Sequence, residues 1–587
     1  MLGVVLAILK KILICISLLI GIALLPNQSI AFESRYPEIG NGRVEQSLVH
    51  AQKYMVSSAS PYASEAGMKI LAQGGTAIDA AIAVQMVLTL VEPESSGIGG
   101  GGFSLYWDNK NKRLSSYDGR EKAPLKADET LFQENGKNMN WWDALAGGRA
   151  VGVPGVVAMM EKMHQQHGKL PWSALFSDAI KLAEGGFEVS PKLAHSIASK
   201  TNPALGRYEQ AKQYFFPNDK PLQASTIKKN LALAATLKHI AKLGAKGFYQ
   251  GGIALDIVKT VESATDNPGL LSETDMASYQ AIQRPPVCAE FKQYQVCGMG
   301  PPTSGGMTVI QILKLLEQKN LKRFSPISTD NVHLFTQASR LAYADRDKYM
   351  ADADFVKVPV AGLINADYLR KRARLITNKD MGQVSAGTPP NANQNWQQSK
   401  SIEQPSTTHF SIVDQYGNGL SMTSSIEMAF GSTLMVRGFL LNNQLTDFSF
   451  SHEKDGQKIA NRVQGGKRPR SSMSPFMIFD KQGKLMMLIG SPGGSRIINY
   501  VAKTILGVLE WDLDIQSAIN LPHYTNRNGD TDLEKDTAII QIQKALEAKG
   551  HKVNIRDLNS GLHGIVITPE GLQGGADPRR LGKAMGQ

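Results

Sequence analysis

Thr407 heads the stretch of this chain best suited to nucleophilic chemistry, Thr407-Thr408-His409-Phe410-Ser411-Ile412-Val413-Asp414. The run before it, Pro389 to Ser406, is mostly Asn, Gln, Ser and Pro, and the stretch itself alternates as a strand does. A threonine at a junction between linker and strand is where a self-cutting enzyme needs its nucleophile. Breaking the Ser406–Thr407 bond would create an N-terminus whose free amine sits beside its own hydroxyl. Nucleophile and base would then belong to one residue.

The neighbouring elements bear on that chemistry. Gln415-Tyr416-Gly417-Asn418 is a turn signal, and a second strand runs from Gly419 to Ser425. A hairpin centred near Tyr416 sets Ser425 across from Thr407, hydroxyl against hydroxyl. Further on, Phe476–Phe479 and Lys484–Leu488 form an apolar hairpin that runs into Gly490-Ser491-Pro492-Gly493-Gly494-Ser495 and then an apolar helix. Gly493 and Gly494, at a turn from strand to helix, can aim backbone N–H groups at a developing oxyanion. A plain glycine turn accounts for them equally well. Arg468-Pro469-Arg470-Ser471-Ser472-Met473-Ser474-Pro475 is rich in groups that bind anions. Leu441 to Phe448 offers amides and a carboxylate that could hold an ammonium.

The first part of the chain reads differently. Ala63–Leu71 and Thr76–Leu90 are expected as helices, the second nearly all apolar and therefore buried. Gly97-Ile98-Gly99-Gly100-Gly101-Gly102 formally matches a dinucleotide fingerprint. The order here is helix, loop, strand, whereas that fingerprint needs a strand before it and a helix after it. The glycines are expected to permit a close backbone crossing instead. Helical patterns dominate 155–265 and 329–376, and strands dominate from 407, with helices near 499–519 and 537–549. No internal repeat is evident. His164 and His167 are expected to be solvated on a charged helix face, as are most of the 11 histidines. There is no G-x-S-x-G elbow, H-E-x-x-H or P-loop.

The 587 residues, 42% hydrophobic and 20% charged, suit a large globular fold. Residues 12–25 are apolar, follow Lys10-Lys11, and precede the small residues of Ser29-Ile30-Ala31, so 1–31 reads as an export signal. A retained membrane anchor is the other reading. Removing 1–31 deletes Lys10 and Lys11 and no acid, taking the net charge from +12 to +10. No Lys/Arg block interleaves with aromatics, so a nucleic-acid groove is not expected. Cys288 and Cys297 flank a short hairpin. A cross-strand disulfide fits an oxidising compartment, with two buried thiols as the alternative, and two thiols alone make a poor zinc site.

Taken together, these residues resemble the gamma-glutamyltransferases, or glutathione hydrolases, which are N-terminal-nucleophile enzymes. The resemblance runs over nearly the whole chain after residue 31. It includes Ala63-Ser64-Glu65-Ala66-Gly67, Glu94 to Phe103, Asp118-Gly119-Arg120-Glu121, Pro301 to Gly306, Ala344-Asp345-Arg346, Thr407-Thr408-His409, Leu441 to Phe448, Arg468 to Pro475, Gly490 to Ser495 and Gly575 to Arg579. It implies an α+β fold, a four-layer αββα sandwich made as one chain and self-cut into a helix-rich large subunit (32–406) and a sheet-rich small subunit (407–587).

Thr407 would be the nucleophile and Ser425 its assistant. Gly493 and Gly494 would bind the oxyanion. Arg120, Ser471 and Ser472 would hold the substrate α-carboxylate, and Gln444 and Asp447 its α-ammonium. The substrate would be glutathione or another γ-glutamyl donor, with water or an amino acid or peptide as acceptor and no metal or organic cofactor. Two departures stand out. Glu427 occupies a position that is usually Asn in the transferases, and Asp447 to Arg468 is shorter than the lid-bearing stretch of some members. Acylases for glutaryl or poly-γ-glutamyl amides, and an uncut, inactive envelope binding protein, are the alternatives.

Overall fold

The computed structural model describes residues 43–399, 403 and 406–587. The expected export signal, 1–31, lies outside the described residues.

Two seven-stranded antiparallel sheets form the centre. One runs in the order Lys583–Gly586, Met55–Ser58, Thr408–Val413, Gly419–Ser425, Gly101–Asp108, Arg113–Gly119, Ile282–Arg284; we call it the nucleophile sheet. The second runs Val49–Ala51, Gly571–Ala576, His563–Thr568, Leu485–Gly490, Phe476–Phe479, Tyr294–Gly298, Val287–Phe291.

Alternation assigns each face. Phe410, Ile412, Leu420 and Met422 point outward from the nucleophile sheet into a core with helices Pro61–Ala72, Ala77–Val91 and Val156–His167. Phe476, Ile478, Met487 and Ile489 do the same on the second sheet, against Gly305–Leu316, Thr329–Tyr349 and Ile497–Trp511. Between the sheets, Met55, Leu105, Trp107, Val413, Met477, Leu485, Leu488 and Ile565 form the inner layer. Helix, sheet, sheet, helix is therefore the order of layers.

Local chemistry explains the elements nearest Thr407. Asp414 closes its hairpin by accepting from the N–H groups of Tyr416 and Asn418, both at 2.9 Å, while Gly417 takes the left-handed φ of +77° that the turn requires. The same carboxylate accepts from Ala77 N at 2.8 Å, the start of helix Ala77–Val91. Thr76 and Asp79 complete a capping box there. The turn that sets the Thr407 register is thus fastened to the helical layer.

Cys288 and Cys297 face each other across the outermost hairpin of the second sheet and are joined as a disulfide. Expectation and structure differ over the histidines. His164 Nε2 lies 2.8 Å from Leu170 O, and His167 Nε2 lies 2.8 Å from Tyr117 Oη. His333, His409, His523, His551 and His563 are buried. Packing partners from other elements remove these rings from water, which the polarity of their own helix or strand does not reveal.

Candidate active site

Thr407 immediately precedes strand Thr408–Val413, and its place in the alternation turns it toward the gap between the sheets. Thr408 pairs with Ser424, so Ser425 falls opposite Thr407. Thr407 Oγ1 donates to Ser425 Oγ at 3.2 Å. Ser425 Oγ donates in turn to the carbonyl of Ser406 at 2.9 Å and accepts from Glu427 N at 2.8 Å. One hydroxyl therefore touches both the candidate nucleophile and the carbonyl it would attack. Ser406 Oγ donates to Glu94 O at 2.6 Å, which holds the junction from its other side.

The glycine loop after helix Ala77–Val91 sets this arrangement in place. A Cβ on Gly100 would stand 2.2 Å from Ser425 O, and one on Gly99 would stand 2.1 Å from Leu440 O. The loop serves as the close crossing expected of it, pressing bare backbone onto the end of the Ser425 strand.

Thr407 opens into a small pocket. Arg120, Glu403, Ser425, Glu427, Gln444, Asp447, Ser471, Ser472, Met473, Gly494 and Ile497 complete its lining. Nine of the residues marked from sequence thus meet at one place. Gly493 sits just behind Gly494, and Ser406 lies across the junction.

Arg120 follows strand Arg113–Gly119 and is fully buried. Its Nη2 donates to Asp447 Oδ2 at 2.5 Å and to Arg470 O at 2.9 Å, and its Nε donates to Pro469 O at 3.2 Å. Gln444 Nε2 donates to the same Asp447 oxygen at 2.7 Å. Burial outweighs the pull of Arg120 and raises the Asp447 carboxyl to about 6. Behind Arg120, burial pushes the Glu121 carboxyl up to about 8 despite the neighbouring guanidinium. The short turn Gln444–Asp447 that carries the two polar groups is one of the pocket's walls.

Gly493 and Gly494 lie at the end of strand Leu485–Gly490 with φ of +133° and +56°, both in the left-handed half of backbone space. A Cβ on Gly493 would meet Tyr500 Cε2 at 2.7 Å. Glu427 also has a left-handed φ, +80°, and is buried. That conformation is costly for a residue with a side chain and occurs where the surroundings enforce it.

Sequence reasoning assigned no role to Glu403, yet it lines the pocket, and Arg346 Nη2 bonds both to its carboxylate and, at 2.7 Å, to Ser472 Oγ. Arg346 lies within helix Thr329–Tyr349, far from the pocket in sequence, so no local spacing points to the contact.

Comparison with known proteins agrees with the geometry. A profile of the family described as Gamma-glutamyltranspeptidase matches residues 63–587. A glutathione hydrolase proenzyme of Bacillus subtilis (strain 168) is 36% identical, covering 98% of both chains. One from Escherichia coli (strain K12) is 34% identical, covering 93% of this chain and 94% of its own. Among solved structures, a cephalosporin acylase from Bacillus halodurans superposes with a TM-score of 0.82 at 25% identity, covering 94% of this chain and 99% of its own. Over nearly its whole length, this chain belongs to the gamma-glutamyltranspeptidase family.

Proposed function

We propose that the chain cuts itself between Ser406 and Thr407 and that the freed threonine then removes the γ-glutamyl group from glutathione or a related amide. The contact of Ser425 Oγ with both Thr407 Oγ1 and Ser406 O carries this reading. In the uncut chain the Thr407 hydroxyl attacks the Ser406 carbonyl, whose oxygen Ser425 polarises. The acyl group moves from nitrogen to oxygen, and water hydrolyses the ester. The amine so freed has an ordinary pKa of roughly 7.7–8, suited to a base near neutral pH.

In turnover the same hydroxyl attacks the γ-carbonyl of the donor. The N–H groups of Gly493 and Gly494 stabilise the oxyanion, and the leaving amine departs with a proton. Water or an amino acid then takes the γ-glutamyl group from Thr407. The buried Arg120–Asp447 pair presents opposite charges to one small pocket. A zwitterion satisfies both, with its α-carboxylate toward Arg120, Ser471 and Ser472 and its α-ammonium toward Asp447, Gln444 and Glu427. A glutaryl group has no ammonium to place beside Asp447 and Glu427, and the γ-glutamyl reading is preferred to the acylase one on that ground.

The products of the cut, 32–406 and 407–587, would remain together as large and small subunits. Among the described residues no helix is long and apolar enough to cross a membrane. Export to an oxidising compartment is proposed, in keeping with the cross-strand disulfide.

The test is a denaturing gel with N-terminal sequencing, together with rates on γ-glutamyl- and glutaryl-4-nitroanilide. Two bands, one beginning at Thr407, and preference for the γ-glutamyl compound are expected. Thr407→Ala should give a single uncut band; an efficiently cut variant would refute the assignment.

A further inference from the structure

A buried ion cluster lies behind Thr407 and takes no part in the reaction just described. Glu92, Glu94 and Lys192 are all buried. Lys192 Nζ stands 3.4 Å from Glu92 Oε1 and 3.4 Å from Glu94 Oε1, and it donates to Ser95 Oγ at 3.2 Å. The two glutamates belong to the turn that follows helix Ala77–Val91. The lysine comes from another element, helix Pro191–Ala198. It sits in the first turn of that helix, next to Pro191, where the free N–H groups of the backbone make a cation unfavourable. Its own helix therefore gives no reason for a buried ammonium there. Two buried carboxylates do, because a charge out of water needs a partner.

The turn so tied grips the residues on both sides of Thr407. Glu92 Oε2 accepts from Thr408 Oγ1 at 3.3 Å. The carbonyl of Glu94 accepts from Ser406 Oγ at 2.6 Å and from Phe430 N at 3.2 Å. The carbonyl of Ser95 accepts from Ile426 N at 3.3 Å, one residue past Ser425. Side chains alternate along strand Thr408–Val413, so Thr408 shares the outward face with Phe410 and Ile412. A bond that fixes Thr408 outward also fixes Thr407 on the opposite face, toward the pocket.

We propose that Lys192 is a positioning residue for the self-cut. It holds the Glu92–Ser95 turn in place, and that turn, through Thr408 and Ser406, aims the Thr407 hydroxyl at the Ser406 carbonyl. Lys192 touches neither reacting group and acts through Glu92 and Glu94. The proposal rests on the cut at Ser406–Thr407 set out above, and its test separates the two.

The test follows loss of newly made full-length chain on a denaturing gel in wild type, Lys192→Met, Lys192→Arg, Thr408→Val and the double variant Lys192→Met/Thr408→Val. Lys192→Met and Thr408→Val should each slow the cut about tenfold, the loss of roughly one buried hydrogen bond, while Lys192→Arg, which keeps the charge, should stay within about threefold of wild type. The double variant should be no slower than the slower single one, because both changes act through Glu92. A general loss of stability would instead multiply the two effects. If Lys192→Met does not fold, Glu92→Gln takes its place, with the same slowing and the same lack of addition to Thr408→Val expected. Cutting of Thr408→Val at the wild-type rate, a Lys192→Arg chain as slow as Lys192→Met, or losses that multiply in the double variant each overturns the proposal. A wild-type chain that stays whole would refute the cut itself, and the proposal with it.

Discussion

Thr407 Oγ1 lies 3.2 Å from Ser425 Oγ, and that serine oxygen lies 2.9 Å from the Ser406 carbonyl oxygen, so a single side chain bridges the proposed nucleophile and the carbonyl it is proposed to attack. Ser425→Ala removes both contacts. Cutting should slow about tenfold to a hundredfold, at roughly 1 kcal/mol per bond. Ser425→Thr keeps the oxygen and should stay within a few fold of wild type. A time course of precursor loss on a gel reads both.

Asp447, proposed above to hold the substrate ammonium, is expected to set the acid limb of activity. Its carboxyl is raised to about 6, chiefly by burial, and only the ionised form can pair with an ammonium. As pH falls through that value the group protonates and kcat/KM should fall with it. Asp447→Asn should raise KM and remove this limb. Profiles of kcat/KM, which report the free enzyme, decide the matter.

Gly493 has two reasons to be glycine, a φ of +133° and the Tyr500 ring 2.7 Å from where a Cβ would stand. Gly493→Ala should displace the proposed oxyanion donors and lower kcat by about a hundredfold or more, in line with roughly 3 kcal/mol for such a donor. A cut, folded variant with wild-type kcat would exclude this role.

His563 makes stability depend on acid. Burial lowers its pKa to about 4, against an ordinary value near 6.5. The unfolded chain takes up its proton as pH drops through about 6.5, whereas the folded chain resists until about 4. Stability is therefore full above the upper value and declines across that window, by about 3 kcal/mol for this ring. Urea midpoints for His563→Asn should fall less between neutral and acid pH than those of wild type. His409, also pushed down by burial, should preserve part of the slope.

How much of this was legible in the sequence depended on the range of the cause. The position of Ser425 opposite Thr407 follows from turn chemistry and a period of two, both local, and the Cys288–Cys297 pairing follows in the same way. The helix Ala77–Val91 announced itself through its apolar run, while its capping box emerged with the structure. Arg346 and Glu403 meet only because a long helix and the chain before the junction converge in space, and nothing near either residue encodes that. The buried histidines were misread for the same reason. The outline of a helix-rich first part beside a sheet-rich second part hid a further fact. Four strands of the nucleophile sheet and three of the second come from before Thr407.

That interleaving has a consequence for the life of the molecule. Strand Thr408–Val413 is hydrogen-bonded on one edge to Met55–Ser58 from the earlier part of the chain and on the other to Gly419–Ser425 from its own. Neither product of the cut holds a complete sheet, so assembly must precede scission. Before the cut, folding is a unimolecular event. Afterwards two polypeptides must find each other, and recovery from denaturation depends on their concentration. Self-cleavage thus acts as a one-way ratchet: it records that the sandwich once formed, and it withdraws the easy route back to it.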